Sequence, residues 1–439
     1  MFSLNKTPMG TPEIKSSSVL PKISRNLAYR TLFLVLVVGS LTYGMEWFLK
    51  VRSDLGALAT SDTVGWISAV QYLPEGKGQQ AILISPDGKI HRDPGYVPNT
   101  TDRDVTWSPH GNFLYFVSDR EEHNFNLFRW TPSSKDPAER RTIGTRSRSN
   151  LKFPAQPGPE SDSEAKGLLT TGGLVQEFDP TNQSTAQILP PTQKEITQSK
   201  SGEEKGTEGQ FEGVYGSLGT SFREAQWCGN KRYIAGVMRR ETGETLIVQE
   251  MQPVDGKFPQ PRQLITGEHL EFAVNPKTGD IVYSVQGFQW PDATPPADKD
   301  GKPMKKPFIN ALGVYSFSGK PFILAANKGD IAFGSPAINS DGTAMAVVIS
   351  KVANGEVTTQ GLMTYPTSLD PNFKPLQIPG DIHEPSWSLD GTHILAAVRR
   401  PGKPRTIFEI PTDGSSAPRS ITGDTGDFGF PHYSPQRKD

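Results

Sequence analysis

The chain has 439 residues, 43 of them glycine and 38 proline, and only 35% are hydrophobic. Forty-six basic side chains against forty-seven acidic ones leave a formal net charge of −1, which excludes a whole-chain binder of nucleic acid or of anionic surfaces. A single cysteine, Cys228, excludes an intrachain disulfide and is expected to be a small buried apolar side chain beside Trp227.

Residues 1–30 are polar, with Lys6, Lys15, Lys22, Arg25 and Arg30 against the single acid Glu13. The apolar run TLFLVLVVGSLTYGMEWFL follows, from Thr31 to Leu49. A helix needs about 20 residues to cross a bilayer, and this run just reaches that length. Tyr43 and Trp47 stand where an interfacial aromatic belt would lie, and Lys50 and Arg52 follow. The basic excess before the run predicts a cytoplasmic N-terminus, an uncleaved signal anchor over 31–49 and a short tether over 50–62. The rest of the chain is then expected outside a bacterial cytoplasmic membrane, in the periplasm or beyond. A cleaved signal peptide is the rival reading, because Leu32–Gly44 also suits an apolar signal core. The long leader and the lack of a small-x-small site weigh against it.

From residue 63 the pattern is β. Val64–Val70 and Ala81–Asp93 read as strands, the second as a hairpin around Pro86-Asp87-Gly88. Val105–Asp119, VTWSPHGNFLYFVSD, joins two strand-like runs through Ser108-Pro109-His110-Gly111, where Pro sets φ and Gly accepts a positive one. From Thr145 to Gln210 the pattern dissolves into polar, charged and Pro/Gly/Ser-rich sequence, expected to be loop, around one strand pair in Gly167–Leu189.

The hairpin then recurs. Ala225–Met238 keeps the Trp, the Gly turn and the apolar run, whereas Phe272–Val285 loses the Trp. Pro336–Ile349 keeps the Pro and the Asp-Gly turn, and Pro385–Arg399, PSWSLDGTHILAAVR, repeats the whole pattern. Phe430–Gln436, FPHYSPQ, begins it once more. Anchors about 45–65 residues apart exceed the roughly 40–50 of one four-stranded propeller blade, so some blades must carry insertions. Counting units near Trp66, Trp107, Leu174, Trp227, Val274, Ile338 and Trp387 gives seven, or six if Gly167–Leu189 is only an insertion. The last fragment has room for one inner strand, which is expected to pair with residues 64–93 and seal the ring.

These units resemble the TolB-type β-propeller repeat, in which a Pro, a Trp-Ser-Pro-Asp-Gly turn and an apolar strand are followed by a second hairpin. The match is good at Val105–Trp130 and Ile382–Ile410, and partial at Ala225–Leu264, Phe272–Ile323 and Ser335–Ile378. The resemblance implies an all-β, multi-bladed β-propeller over 63–439. TolB proteins are soluble periplasmic partners of an envelope complex, so a membrane anchor departs from their pattern. The fold itself hosts many functions.

No G-x-S-x-G elbow, H-E-x-x-H, EF-hand loop or P-loop occurs, so the sequence points to no cofactor, metal or nucleic acid. The best site expectation lies where outer strands cross to the next inner strand, around the channel mouth. Asp102, Arg103, Asp104, Arg223, Glu224, His383, Glu384 and His432 stand at equivalent places in different repeats and are expected to be exposed and tolerant of substitution. Two functions follow from this. The first is a membrane-tethered, non-catalytic propeller that binds a protein or peptide of the envelope. The second is a glycan lyase or hydrolase working at the channel mouth, for which two nearby carboxylates would be required.

Overall fold

A computed structural model describes residues 64–121, 123–134, 136–141, 149–154, 165–189, 221–229, 231–240, 243–253, 258–289, 302, 310–318, 322–327, 330–353, 356–366, 374–376, 378 and 380–435. All of them belong to the second of two compact units, Ser61–Asp439. The expected anchor and tether lie outside the described residues. Among the described residues no helix is long and apolar enough to cross a membrane.

Apart from one 3-10 turn at Pro74–Gly76, every element of the described chain is a β-strand. The first strands are β1 (Ile67–Tyr72), β2 (Gly78–Ile84) and β3 (His91–Arg92). A second set is β4 (Thr100–Trp107), β5 (Leu114–Glu121), β6 (Asn124–Trp130) and β7 (Glu139–Arg140). The third is β8 (Asn150–Lys152), β9 (Gly167–Thr171), β10 (Leu174–Asp179) and β11 (Ser184–Leu189). Next come β12 (Ser221–Cys228), β13 (Tyr233–Arg240), β14 (Gly243–Glu250) and the long β15 (Arg262–Val274). They lead into β16 (Ile281–Gln289), β17 (Asn310–Tyr315) and β18 (Phe322–Asn327). The chain continues as β19 (Ile331–Ile338), β20 (Ala344–Ala353), β21 (Glu356–Pro366) and β22 (Lys374–Leu376). It ends in β23 (Asp381–Trp387), β24 (His393–Arg399), β25 (Arg405–Pro411), β26 (Arg419–Ser420) and β27 (Asp427–Tyr433).

Hydrogen bonding sorts these strands into four-stranded antiparallel units. β8–β11, β19–β22 and β23–β26 are separate sheets. β12–β18 form one seven-stranded sheet because β15 serves two units: its first half pairs with β14 and its second with β16. The eight-stranded sheet likewise holds two, β4–β7 and a unit ordered β27-β1-β2-β3, bridged by a short parallel pairing of β2 with β4. The final strand therefore supplies the inner strand of the first unit. Ile67 faces Tyr433 and Tyr72 faces Asp427 in that pairing.

Strand alternation explains how the units join. Successive side chains point to opposite faces, so Leu114 and Phe116 enter one apolar cluster while Tyr115 and Val117 enter the next. The first of these clusters joins β1 and β2 to β4–β6. The second joins β5 and β6 to the unit of β8–β11. The same rule carries the core from unit to unit. The last cluster packs Leu395, Ile407 and Ile421 against Ile67, Ile82 and Phe428, returning the seventh unit to the first. A closed ring of packed sheets has no unpaired inner edge.

One loop expectation is corrected. Asn150–Lys152, inside the polar stretch, is the first strand of the third unit. Leu151 and Phe153, two residues apart, both enter the cluster with Tyr115 and Phe178. Three residues are too short for their alternation to show against the charged sequence around them. Cys228 is buried as expected, and burial pushes its thiol well above the usual range.

Candidate functional site

All eight expected residues lie on the innermost strands β4, β12, β23 and β27; the other units place β8, the second half of β15 and β19 at the same position. Each of the six longer strands has a register shift before its end. Asp104, His269, Ser335, Glu384 and Phe430 hold positive φ angles of 53°, 45°, 46°, 54° and 52° at these bulges. For non-glycine residues this left-handed backbone is disfavoured by about 1–2 kcal/mol and persists only where the surroundings enforce it.

The enforcement is visible in two places. Glu271 accepts a hydrogen bond from the backbone N–H of Ser335, one unit on. Glu384 accepts one from the N–H of Phe430, again one unit on. Tryptophans hold the strands from the other side: the Trp387 indole donates to the Ala337 carbonyl at 3.0 Å, and that of Trp107 to His432 at 3.4 Å. Counting three residues back from Trp107, Trp227, Val274, Ile338, Trp387 and Tyr433 gives Asp104, Glu224, Glu271, Ser335, Glu384 and Phe430. With Lys152 of β8 (Asn150–Lys152), each unit contributes one residue to this level.

Charges meet there across several units. Lys152 approaches Glu224 at 3.6 Å, and Arg223 approaches the other Glu224 oxygen at 3.8 Å. Burial pushes the Asp104 carboxyl up to about 7, with Arg103 and Lys152 opposing and Glu224 reinforcing. Burial also raises Glu384, against the Phe430 N–H and Arg405, with Glu271 adding to the rise. His432 is driven down to about 4 by desolvation and by Lys152. By surface area, however, its side chain is exposed. Protein groups crowd His432, yet water still reaches it. Asp104 and Glu384 are likewise partly accessible.

The remaining expected residues divide. Arg103 sits over the Phe125 ring at 4.9 Å, and Arg223 is held by Glu244 at 2.8 Å and by the Leu270 carbonyl. His383 is half-buried and is lowered by burial, then by Arg405 and Arg399. Asp102 departs from its expected exposed place. It is buried, pairs with Arg120 at 2.8 Å and accepts the Ala81 N–H at 3.0 Å, tying β4 to β2. The alternation of β4 turns Asp102 into the sheet interface, a placement that a single-strand reading does not reveal. Glu271, Phe430 and Lys152 were missed. The count from the last inner-strand residue of each repeat, aromatic or aliphatic, finds the first two, while Lys152 lies in the strand hidden by charge.

A cavity of about 590 Å3 opens at the opposite, turn end of the inner strands, lined by Asp341, Ser388, Asp390, His393, Glu409 and Tyr433 among others. Its acids are already engaged, Asp390 by Ser388 at 2.6 Å and Glu409 by Tyr433 at 2.8 Å. Among the described residues no three His, Cys, Asp or Glu side chains converge as a metal site.

No protein-family model and no curated protein matches the chain by sequence. Solved structures do match by shape. Puromycin hydrolase, as its S511A mutant complexed with PGG, is 15% identical with a TM-score of 0.50, covering 82% of this chain and 52% of that one. TolB from Acinetobacter baumannii is 12% identical with a TM-score of 0.47, covering 84% and 66%. An oligogalacturonate lyase in complex with manganese is 10% identical with a TM-score of 0.47, covering 80% and 83%. The chain thus spans about half of the hydrolase and 66% of the TolB chain. At such identities the likeness concerns fold alone, and the strand order makes the described chain a seven-unit β-propeller.

Proposed function

We infer that the protein is a membrane-tethered, extracytoplasmic propeller that captures a protein or peptide of the cell envelope at its channel. The observation that supports this most is the ring of one residue per unit, four of them carboxylates, braced by inter-unit hydrogen bonds at strained bulges. Strain maintained at a water-accessible level is characteristic of sites that meet a ligand. His383, Arg223 and Arg103 would stand toward the strand starts, where an incoming partner arrives first. Crosslinking in membranes followed by capture of the full chain tests the reading. A specific envelope protein should be recovered, and His383→Ala with Phe430→Ser should lose it. Recovery unchanged by both substitutions would refute the site, and protease accessibility in whole cells and spheroplasts would check the topology.

One observation favours a second reading, a hydrolase or lyase acting at the same level. Burial pushes the Asp104 carboxyl up to about 7, with Glu224 adding to the rise, as a general acid with a carboxylate partner requires. Turnover of glycan or peptide substrates that disappears in Asp104→Asn would support that reading over simple capture.

A further inference from the structure

We propose that the channel receives an arginine side chain of the bound partner, with Asp104 accepting the guanidinium and Phe430 lying against its face. This rests on the capture reading above and names the chemistry captured.

Three observations converge. First, the equivalent carboxylates are already used. Glu224 pairs with Lys152 and Arg223, Glu271 holds the Ser335 N–H, and Glu384 holds the Phe430 N–H. Asp104 is one methylene shorter than these glutamates. Among the described residues no hydrogen bond or ion pair within 4 Å engages its carboxylate. It feels Arg103, Lys152 and Glu224 only at longer range. A carboxylate largely surrounded by protein, reached by water and with no donor among the described residues, is open to one brought by a ligand.

Second, Phe430 is one of three large hydrophobic residues exposed among the described ones, at 41%. It lies on an inner strand, where its N–H is clamped by Glu384 and its backbone is held left-handed. Its phenyl ring is thus accessible at a position whose backbone is fixed. Third, Asp104 and Phe430 are neighbours around the ring. β4 and β27 are the inner strands of adjacent units, joined by the Trp107 bond to the His432 carbonyl. An aromatic face beside a carboxylate is complementary to a guanidinium, which stacks on one and forks to the other. Glu224 is matched by Lys152 and Arg223, whereas among the described residues no cation lies within 4 Å of the Asp104 carboxylate, which leaves that group open to one. A lysine partner would use the charge but not the ring.

The test uses the full chain with small probes. N-acetyl-arginine amide is titrated at about pH 8, followed by calorimetry or by NMR, against N-acetyl-citrulline amide, its uncharged near-isostere. Arginine should bind at millimolar concentration and citrulline at least about tenfold more weakly, the loss expected for a charge-assisted bond. Asp104→Asn should weaken arginine by a similar factor, and Phe430→Leu by several fold. Asn tolerates left-handed backbone, so the first variant keeps the bulge, and its thermal midpoint verifies the fold. Equal binding of arginine and citrulline, or arginine binding undiminished in Asp104→Asn, overturns the proposal. Loss of envelope-protein capture in His383→Ala with no arginine binding by the wild type would leave the capture reading standing and remove only this one. Arginine binding at Asp104 without any captured protein would do the reverse.

Discussion

Two neighbouring aspartates show how far a single position decides a role. Asp102 is locked between Arg120 and the Ala81 N–H inside a sheet, whereas Asp104, two residues on, stands in the channel. Removing one partner of a buried ion pair leaves the other charge uncompensated, which costs about 3–5 kcal/mol. Asp102→Ala should therefore lower the denaturation midpoint sharply, and Asp104→Asn should not. Similar melting curves for the two variants would contradict the placement. Asp104 also couples stability to pH. Its unfolded value is near 3.9, so between about pH 4 and the folded value of about 7 the native state holds the extra proton. Stability from this group is largest at low pH and falls as pH rises through 7. His432 acts in the opposite sense. Its folded value of about 4 lies below the unfolded 6.5, so its contribution is lost as pH falls between them. Arg103, Lys152 and Glu224 surround the first group and Lys152 acts on the second. In thermal melts, Asp104→Asn should exceed the wild type at about pH 8. That variant should also show the unmasked His432 decline from about pH 6.5 to 4. A variant whose pH profile overlays the wild type would remove both assignments.

At the scale of the strand, the repeat sentence is a set of instructions for an inner strand and its turn. Ser388 shows how: its N–H bonds the His393 carbonyl at 2.9 Å, its hydroxyl accepts the His393 N–H at 3.0 Å, and Gly391 takes a φ of 68°. The Trp before it then reaches sideways to the preceding unit. Trp387→Phe keeps most of the apolar contact but loses the bond to Ala337, and should cost about 1 kcal/mol. Trp107, 7% exposed, should cost about 3–5 kcal/mol on truncation to Ala. Chemical denaturation separates these, and equal losses would mean that the indole bond and the packing cannot be distinguished as described. This is why the repeats were legible without coordinates: Pro, Trp-Ser and Asp-Gly each have a local backbone job, so they recur. The bulge and the clamp were not legible. Glu271 and Glu384 bind N–H groups 64 and 46 residues away, and only the ring geometry brings those donors near. The third unit was half-read for a related reason, because Leu151 and Phe153 announce a strand only once Tyr115 and Phe178 are seen facing them.

The whole molecule depends on closure. Each apolar cluster spans two four-stranded units, so no unit buries its faces alone, and the ring needs its last contact as much as any other. That contact is made by β27. Phe428, 1% exposed, packs with Ile67, Ile82, Leu395 and Ile407, and the Ser434 N–H bonds the Trp66 carbonyl at 2.8 Å. Phe428→Ala should cost about 3–5 kcal/mol, as for other large buried aromatics. Ile90→Ser, at a hairpin side chain 50% exposed, should stay within about 0.5 kcal/mol. Deleting residues 427–439 goes further than either. It strips the inner partner from β1, exposing an unpaired apolar edge of the kind that templates association. It also takes Phe430, His432 and the Glu384 clamp from the channel. The deletion should aggregate or become protease-sensitive, and its arginine response should vanish with the fold. Size-exclusion chromatography and limited proteolysis report the first, and melting of Phe428→Ala reports whether the interface alone is enough. A truncated chain that stays monomeric with an unchanged midpoint would show that the ring holds without its seal, and the two-ended first unit would have to be abandoned.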